Sequence, residues 1–178
     1  MSAMRRSFFL VLAPVALLSA AAVAQSNEPI SALKGHNSDA PVDVTADRIE
    51  VQDRADRAMF SGNVHVRQAE LTLDTSRLTV AYSSAGGIQI KRLDASGGVT
   101  VRSPSETARG AFGIYDLDRK LITLVGDVVL NRQGSQIAGQ RLVIDLDSGR
   151  AVIDGGPAGV GQTGGRVTGH FTVPQRGS

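Results

Sequence analysis

Phe60-Ser61-Gly62-Asn63-Val64-His65-Val66-Arg67-Gln68 decides the fold, because it returns. At an offset of 64 residues, Gly62-Asn63-Val64 falls on Gly126-Asp127-Val128 and Arg77-Leu78 on Arg141-Leu142, with no gap between. Apolar positions coincide as well: Phe60 with Leu124, Val66 with Leu130, Leu73 with Ile137 and Val80 with Ile144. A third copy of the step is Gly97-Gly98-Val99, and a partial fourth is Ile153-Asp154-Gly155. A glycine at a fixed place between apolar alternations predicts a β-bulge or a positive φ angle.

Outward from this stretch, Pro41 to about Asp154 alternates with period two, as in Val42-Asp43-Val44, Ile49-Glu50-Val51, Leu71-Thr72-Leu73 and Val99-Thr100-Val101. Helical spacing is missing, and Pro104 is the sole proline between Val42 and Gly156, which suits paired strands. The pattern predicts an all-β chain of a dozen or more short strands. A repeating meander buries no face alone, so the units must stack into an elongated sandwich or jelly roll whose end strands are open edges. Such an edge is a place for strand addition by another protein.

Composition narrows the function. The 178 residues are 42% hydrophobic and 4% aromatic, with no Cys and no Trp. Disulfides, thiolate nucleophiles, Cys-ligated metals and a lipidated N-terminal cysteine are excluded. The N-terminus reads as a secretory signal peptide: Arg5-Arg6, an apolar run Phe8–Leu18, and Ala22-Val23-Ala24 before the cut. A soluble protein exported to the bacterial periplasm is the expectation. Without residues 1–24, 17 basic residues face 17 acidic ones, so bulk charge gives nucleic acid no support. Residues 25–40 read as a flexible leader. From Gly155 onward glycine dominates, with Arg166–Val173 patterned for one last strand.

Catalytic chemistry finds little footing. His36 falls in the leader, His65 on the polar face of a strand and His170 in the tail, so no two have metal-ligand spacing. There is no Gly-x-Ser-x-Gly and no phosphate-binding Gly-x-x-x-x-Gly-Lys. The many carboxylates sit in turns or alternate with apolar residues, which marks a solvated face; aromatics for sugar stacking are few. No enzyme, cofactor or metal is expected. What remains is a face of Val, Leu and Ile. It can be an ordinary packed core, or two sheets held slightly apart with acyl chains between them, and composition does not decide.

Parity in the repeat places Val64, Val66, Leu73, Leu78 and Val80 inward, with Val128, Leu130, Ile137, Leu142 and Ile144 as their copies. Ile49, Val51, Val99, Val101 and Leu124 are expected to join them.

The residues Pro41-Val42-Asp43-Val44-Thr45-Ala46-Asp47-Arg48-Ile49, then Phe60 to Gln68, Tyr115-Asp116-Leu117, and Leu121-Ile122-Thr123-Leu124-Val125-Gly126-Asp127-Val128 stand in a telling order. Through them the segment 41–155 resembles the OstA-like family, most closely its periplasmic lipopolysaccharide-transport bridge members. The resemblance implies a twisted, open β-jellyroll of many short antiparallel strands. It implies a carrier that shuttles or bridges lipopolysaccharide from inner to outer membrane, holding the lipid A acyl chains in a hydrophobic groove. The inward residues named above would then be the lipid-binding set. Val42 and Val44, on the first strand, would form a partner edge. Implied partners are lipopolysaccharide, inner-membrane LptC-like and outer-membrane LptD-like OstA domains, and further copies joined head to tail. Two alternatives stay open: a membrane-anchored LptC-like component with a retained N-terminal span, and a structural β-solenoid module that binds no lipid. Net charge near zero departs from what phosphorylated lipid A favours, although the 16 Arg against 3 Lys supply bidentate phosphate donors.

Overall fold

In a computed structural model the described residues are 33, 36–156 and 165–172. The expected signal peptide, most of the expected leader, and residues 157–164 and 173–178 lie outside them. Among the described residues the alternating segments become ten strands: β1 (Val42–Thr45), β2 (Arg48–Gln52), β3 (Arg57–Gln68), β4 (Leu71–Ser83), β5 (Gln89–Arg102), β6 (Glu106–Asp116), β7 (Leu121–Arg132), β8 (Ser135–Asp145), β9 (Arg150–Asp154) and β10 (Thr168–His170). One 3₁₀ turn, Asp53–Ala55, joins β2 to β3. All pairing is antiparallel, in the order β1-β3-β4-β5-β6-β7-β8-β10, with β2 on β3 and β9 on β8.

The expectation of a dozen or more short strands is corrected here. β3 to β8 are 11 to 14 residues long. The Gly-x-Val step does not end a strand; it bends one. Gly62 and Asn63 have φ of 78° and 45°, Gly97 and Gly98 both 85°, and Gly126 and Asp127 83° and 46°. Glycine reaches this left-handed region without a Cβ clash, and Asn and Asp tolerate it best among the rest. Each pair opposes a single residue of the neighbouring strand, and the register shifts there in β3–β4, β5–β6 and β7–β8 alike. At Gly126 the glycine is required twice over, since a Cβ would also lie 2.9 Å from the Ala111 Cβ.

The bulges line up across the sheet and divide it into two leaves. The first holds β2, β9 and the parts of β3–β8 around Phe60, Leu78, Ala95, Gly113, Leu124 and Leu142. The second holds β1, β10 and the parts around Val66, Leu73, Val101, Ala108, Leu130 and Ile137. The leaves face one another: the Tyr115 hydroxyl on the first donates to Gln68 Oε1 on the second at 2.9 Å. The core lies between them, built almost wholly of Val, Leu, Ile and Ala. Each such side chain, fully buried, contributes about 1.5–3 kcal/mol for the larger types.

Candidate functional site

The candidate site is the space between the leaves. Cross-strand partners share a face, so a row of register partners is also a row of side chains. On the first leaf one row runs Ile49, Phe60, Leu78, Ala95, Gly113, Leu124, Leu142, Ile153, from β2 to β9. On the second, Val44, Val66, Leu73, Val101, Ala108, Leu130 and Ile137 run from β1 to β8. An apolar lining thus crosses the whole sheet on both leaves, with the space at Gly113 filled by Val99 and Leu124.

Val64, Val66, Leu73, Leu78, Val80, Val99, Val101, Leu124, Val128, Leu130, Leu142 and Ile144 are all buried, as parity predicts. Ile137 is half-buried near the β10 edge. Ile49 and Val51 correct the expectation: both are 56% exposed. Their parity holds, because they pair with Phe60 and Ala58 on the inner face. Cover is what fails, since β2 is the outermost strand of its leaf and has β3 as its one neighbour. Val42 and Val44 are half-buried on β1, which ends the second leaf as an edge strand.

As it stands the interior is close-packed. An apolar void between Val42, Val66, Leu73, Leu93, Val101, Tyr115 and Leu124 amounts to about 20 Å³. That is room for about one water and far less than an acyl chain needs. A ligand chain can enter only where the leaves part.

A cluster of four polar side chains missed by sequence reasoning, Gln68, His36, Glu70 and Tyr115, meets at the tips of the leaves. Gln68 is 3% exposed and His36 7%. Gln68 Nε2 donates to the Ser38 and Ala40 carbonyls at 2.8 and 3.0 Å, which fixes its Oε1 toward the Tyr115 hydroxyl and His36 Nε2 (3.1 Å). His36 Nδ1 meets Glu70 Oε1 at 2.9 Å. The hydrogen bond from His36 holds the Glu70 carboxyl below its ordinary range, against a smaller opposing effect of burial. Burial, helped by the Asp39 charge, pushes the Tyr115 hydroxyl up to about 12. Leu33, in the same N-terminal segment, is 2% exposed and belongs to the core. The described part of the expected leader, Leu33 and residues 36–40, docks through Leu33 and His36. A signal for Gln68 was present: the parity of Val64 and Val66 points it inward.

The outer faces carry charge pairs, with Lys91–Asp118 at 3.2 Å, Arg92–Asp94 at 2.6 Å and Arg141–Asp154 at 2.7 Å, beside the exposed apolar side chains of Met59, Phe112, Val125 and Val152. His65 is exposed on this face, 2.7 Å from Asp74, which Arg102 also contacts. Partial burial raises the Asp74 carboxyl, but the hydrogen bonds from His65 and Arg102 outweigh it and hold it below the ordinary value. No three metal-ligating side chains cluster among the described residues. No helix of the described residues is long and apolar enough to cross a membrane.

With this geometry, the model of the family described as LptA/(LptD N-terminal domain) LPS transport protein matches residues 43–150. The chain belongs to that family. An uncharacterized protein of Rhizobium meliloti (strain 1021) is 32% identical over 147 residues, covering 78% of each chain. A solved structure, LptH of Pseudomonas aeruginosa, is described as the LptA-homologous periplasmic component of the lipopolysaccharide transport device. It superposes with a TM-score of 0.68 at 16% identity, over 78% of this chain and 99% of that one. The OstA-like β-jellyroll expected from the resemblance is the fold observed.

Proposed function

We propose that this LPS transport family member is a periplasmic carrier that bridges lipopolysaccharide from inner to outer membrane. The acyl chains of lipid A lie between the leaves, against Val66, Leu73, Leu78, Leu124, Leu130 and Leu142, while the sugars stay in water. The carrying observation is the apolar lining, mostly aliphatic, that runs from one sheet edge to the other on both leaves. Each buried methylene contributes about 0.8 kcal/mol, so several acyl chains bind tightly without a polar anchor. Short aliphatic side chains offer no fixed grip, which suits a cargo that must move on.

The edges supply the partner contacts. β1 and β2 end the sheet on one side, and β9 and β10 on the other. Strand addition at such edges joins copies head to tail, and joins the terminal copies to LptC-like and LptD-like OstA domains. The first 24 residues act as a cleaved export signal. The small interior void favours a second reading, a structural β module with a dry core that binds no lipid.

Because the chain has no Trp, Val66→Trp gives a single clean reporter between the leaves. The carrier reading expects its fluorescence to be quenched by lipopolysaccharide-type lipids with brominated acyl chains. A folded variant that shows no quenching at saturating lipid supports the structural module instead.

A further inference from the structure

We infer that Leu33 and residues 36–40 form a strap that clasps the two leaves together at the β1 end and gates entry to the space between them. This rests on the carrier reading above. The lip of the second leaf there is the end of β3, at Gln68, and the lip of the first is the end of β6, at Tyr115. The two residues are hydrogen-bonded across the gap and both line the apolar void. The strap is built onto this contact. Ser38 and Ala40 hold Gln68 by their carbonyls, His36 reaches Gln68 and Glu70 by its two ring nitrogens, and Leu33 is inserted into the core.

The segment is shaped for this by its own turns. The amide of His36 bonds to the Leu33 carbonyl, Ser38 to His36 and Ala40 to Asn37, and Asn37 Oδ1 accepts from the Asp39 amide. Every hydrogen-bonding position of the Gln68 carboxamide is thereby taken up by the strap or by Tyr115. The two ring nitrogens of His36 reach Glu70 Oε1 and Gln68 Oε1 at 2.9 and 3.1 Å, so the ring ties the strap to both ends of the β3–β4 turn. The void beside the seam holds only about 20 Å³: parting the leaves at this end breaks the Gln68–Tyr115 bond, and that bond is buttressed by the strap. The strap holds the second leaf through Gln68 and Glu70, reaches the first through the Gln68–Tyr115 bond and Leu33 in the common core, and forms no part of the sheet ladder. It can leave while β3 and β6 keep all their strand pairing.

The test is the uptake rate of fluorescently labelled lipopolysaccharide by the full mature chain, by Leu33→Asp and by His36→Ala. Neither residue belongs to the proposed lipid-binding lining. Hydrogen exchange at Gln68 to Leu71 and at Tyr115 reads release of the clasp, and circular dichroism reads the fold. The expected result is faster exchange at both lips and an uptake rate raised roughly tenfold in Leu33→Asp, the factor given by about 1.4 kcal/mol less closed-state bias. A smaller rise in the same direction is expected for His36→Ala. Folded variants with loosened lips and unchanged uptake overturn the strap as a gate and leave the carrier reading standing. No uptake by any of the three chains overturns both.

Discussion

The two edges of the first leaf carry the same code and meet different fates. At one edge, β2 turns Ile49 and Val51 to the inner face, and each is 56% exposed. At the other, β9 turns Ala151 and Ile153 to the same face; Ala151 is 4% exposed and Ile153 packs on the core. Ile49 and Ile153 end the same row of register partners. The difference lies opposite them: the Ile153 Cγ2 reaches across to Gly139 of β8, where a Cβ would stand 2.5 Å from it. β2 has no such cover among the described residues. Burial is set by what faces a strand, and the strand's own pattern cannot report it. An apolar inner face bared at one edge is the kind of surface that a further strand would cover.

The largest effect that sharpens this contrast is a cavity in the middle of the row. Leu142→Ala, at a side chain with 0% exposure, is expected to lower unfolding free energy by about 3 kcal/mol in urea titrations. Ile49→Ala, in the same row, is expected to cost less than about 0.5 kcal/mol. Equal losses at both sites would break the comparison. Next comes the bend that makes two leaves from one sheet. Gly126→Ala combines a positive φ with a close approach to Ala111, whereas Gly86→Ala has a φ of 81° and open space around it. The first is expected to cost about 2–3 kcal/mol and the second about 1. Similar costs would mean that the bulge line is not tightly packed.

The seam opposite the bulge line has a weaker hold. Tyr115→Phe removes the hydrogen bond to Gln68 and is expected to cost about 1 kcal/mol at neutral pH. Burial raises the Tyr115 hydroxyl to about 12, so its neutral form favours the folded chain. That contribution is complete below the unfolded tyrosine range near 10 and is lost as pH climbs from about 10 to 12. The alkaline loss should be blunted in Tyr115→Phe. Smallest are the exposed carboxylates, Asp74 on the outer face and Glu70 at the leaf tip, both held below their ordinary values. Lowered carboxyls stabilise above their unfolded values and lose that contribution as pH falls through the folded ones. Both are substantially exposed, so Asp74→Asn should reduce the acid sensitivity of the unfolding midpoint by less than about 1 kcal/mol at pH 3.

Much of this was legible before the structure. Gly62-Asn63-Val64 and its copies announce both the repeat and the positive φ angles, because only Gly, Asn and Asp bear that backbone cheaply. Parity assigned the inner face from Val64 to Ile144, since a strand has just two sides. Bend and break look alike in sequence, however, so six long bent strands read as many short ones. Cover is a tertiary property, which is why Ile49 and Val51 read the same as Leu78. His36 and Leu33 were misplaced for a further reason: a single buried Leu and a single buried His, without period, leave no pattern to read. Gln68 was hidden by its polarity, although its parity gave it away.

The central claim is that acyl chains lie between the leaves. Photocrosslinkers at Val66 and Leu130, both buried on the inner face, can be set against His65 and Asp127, both exposed outside. Incubated with lipopolysaccharide, the account predicts adducts at the first pair and none at the second. Adducts only at the outer pair, or none at any position in folded protein, would contradict it.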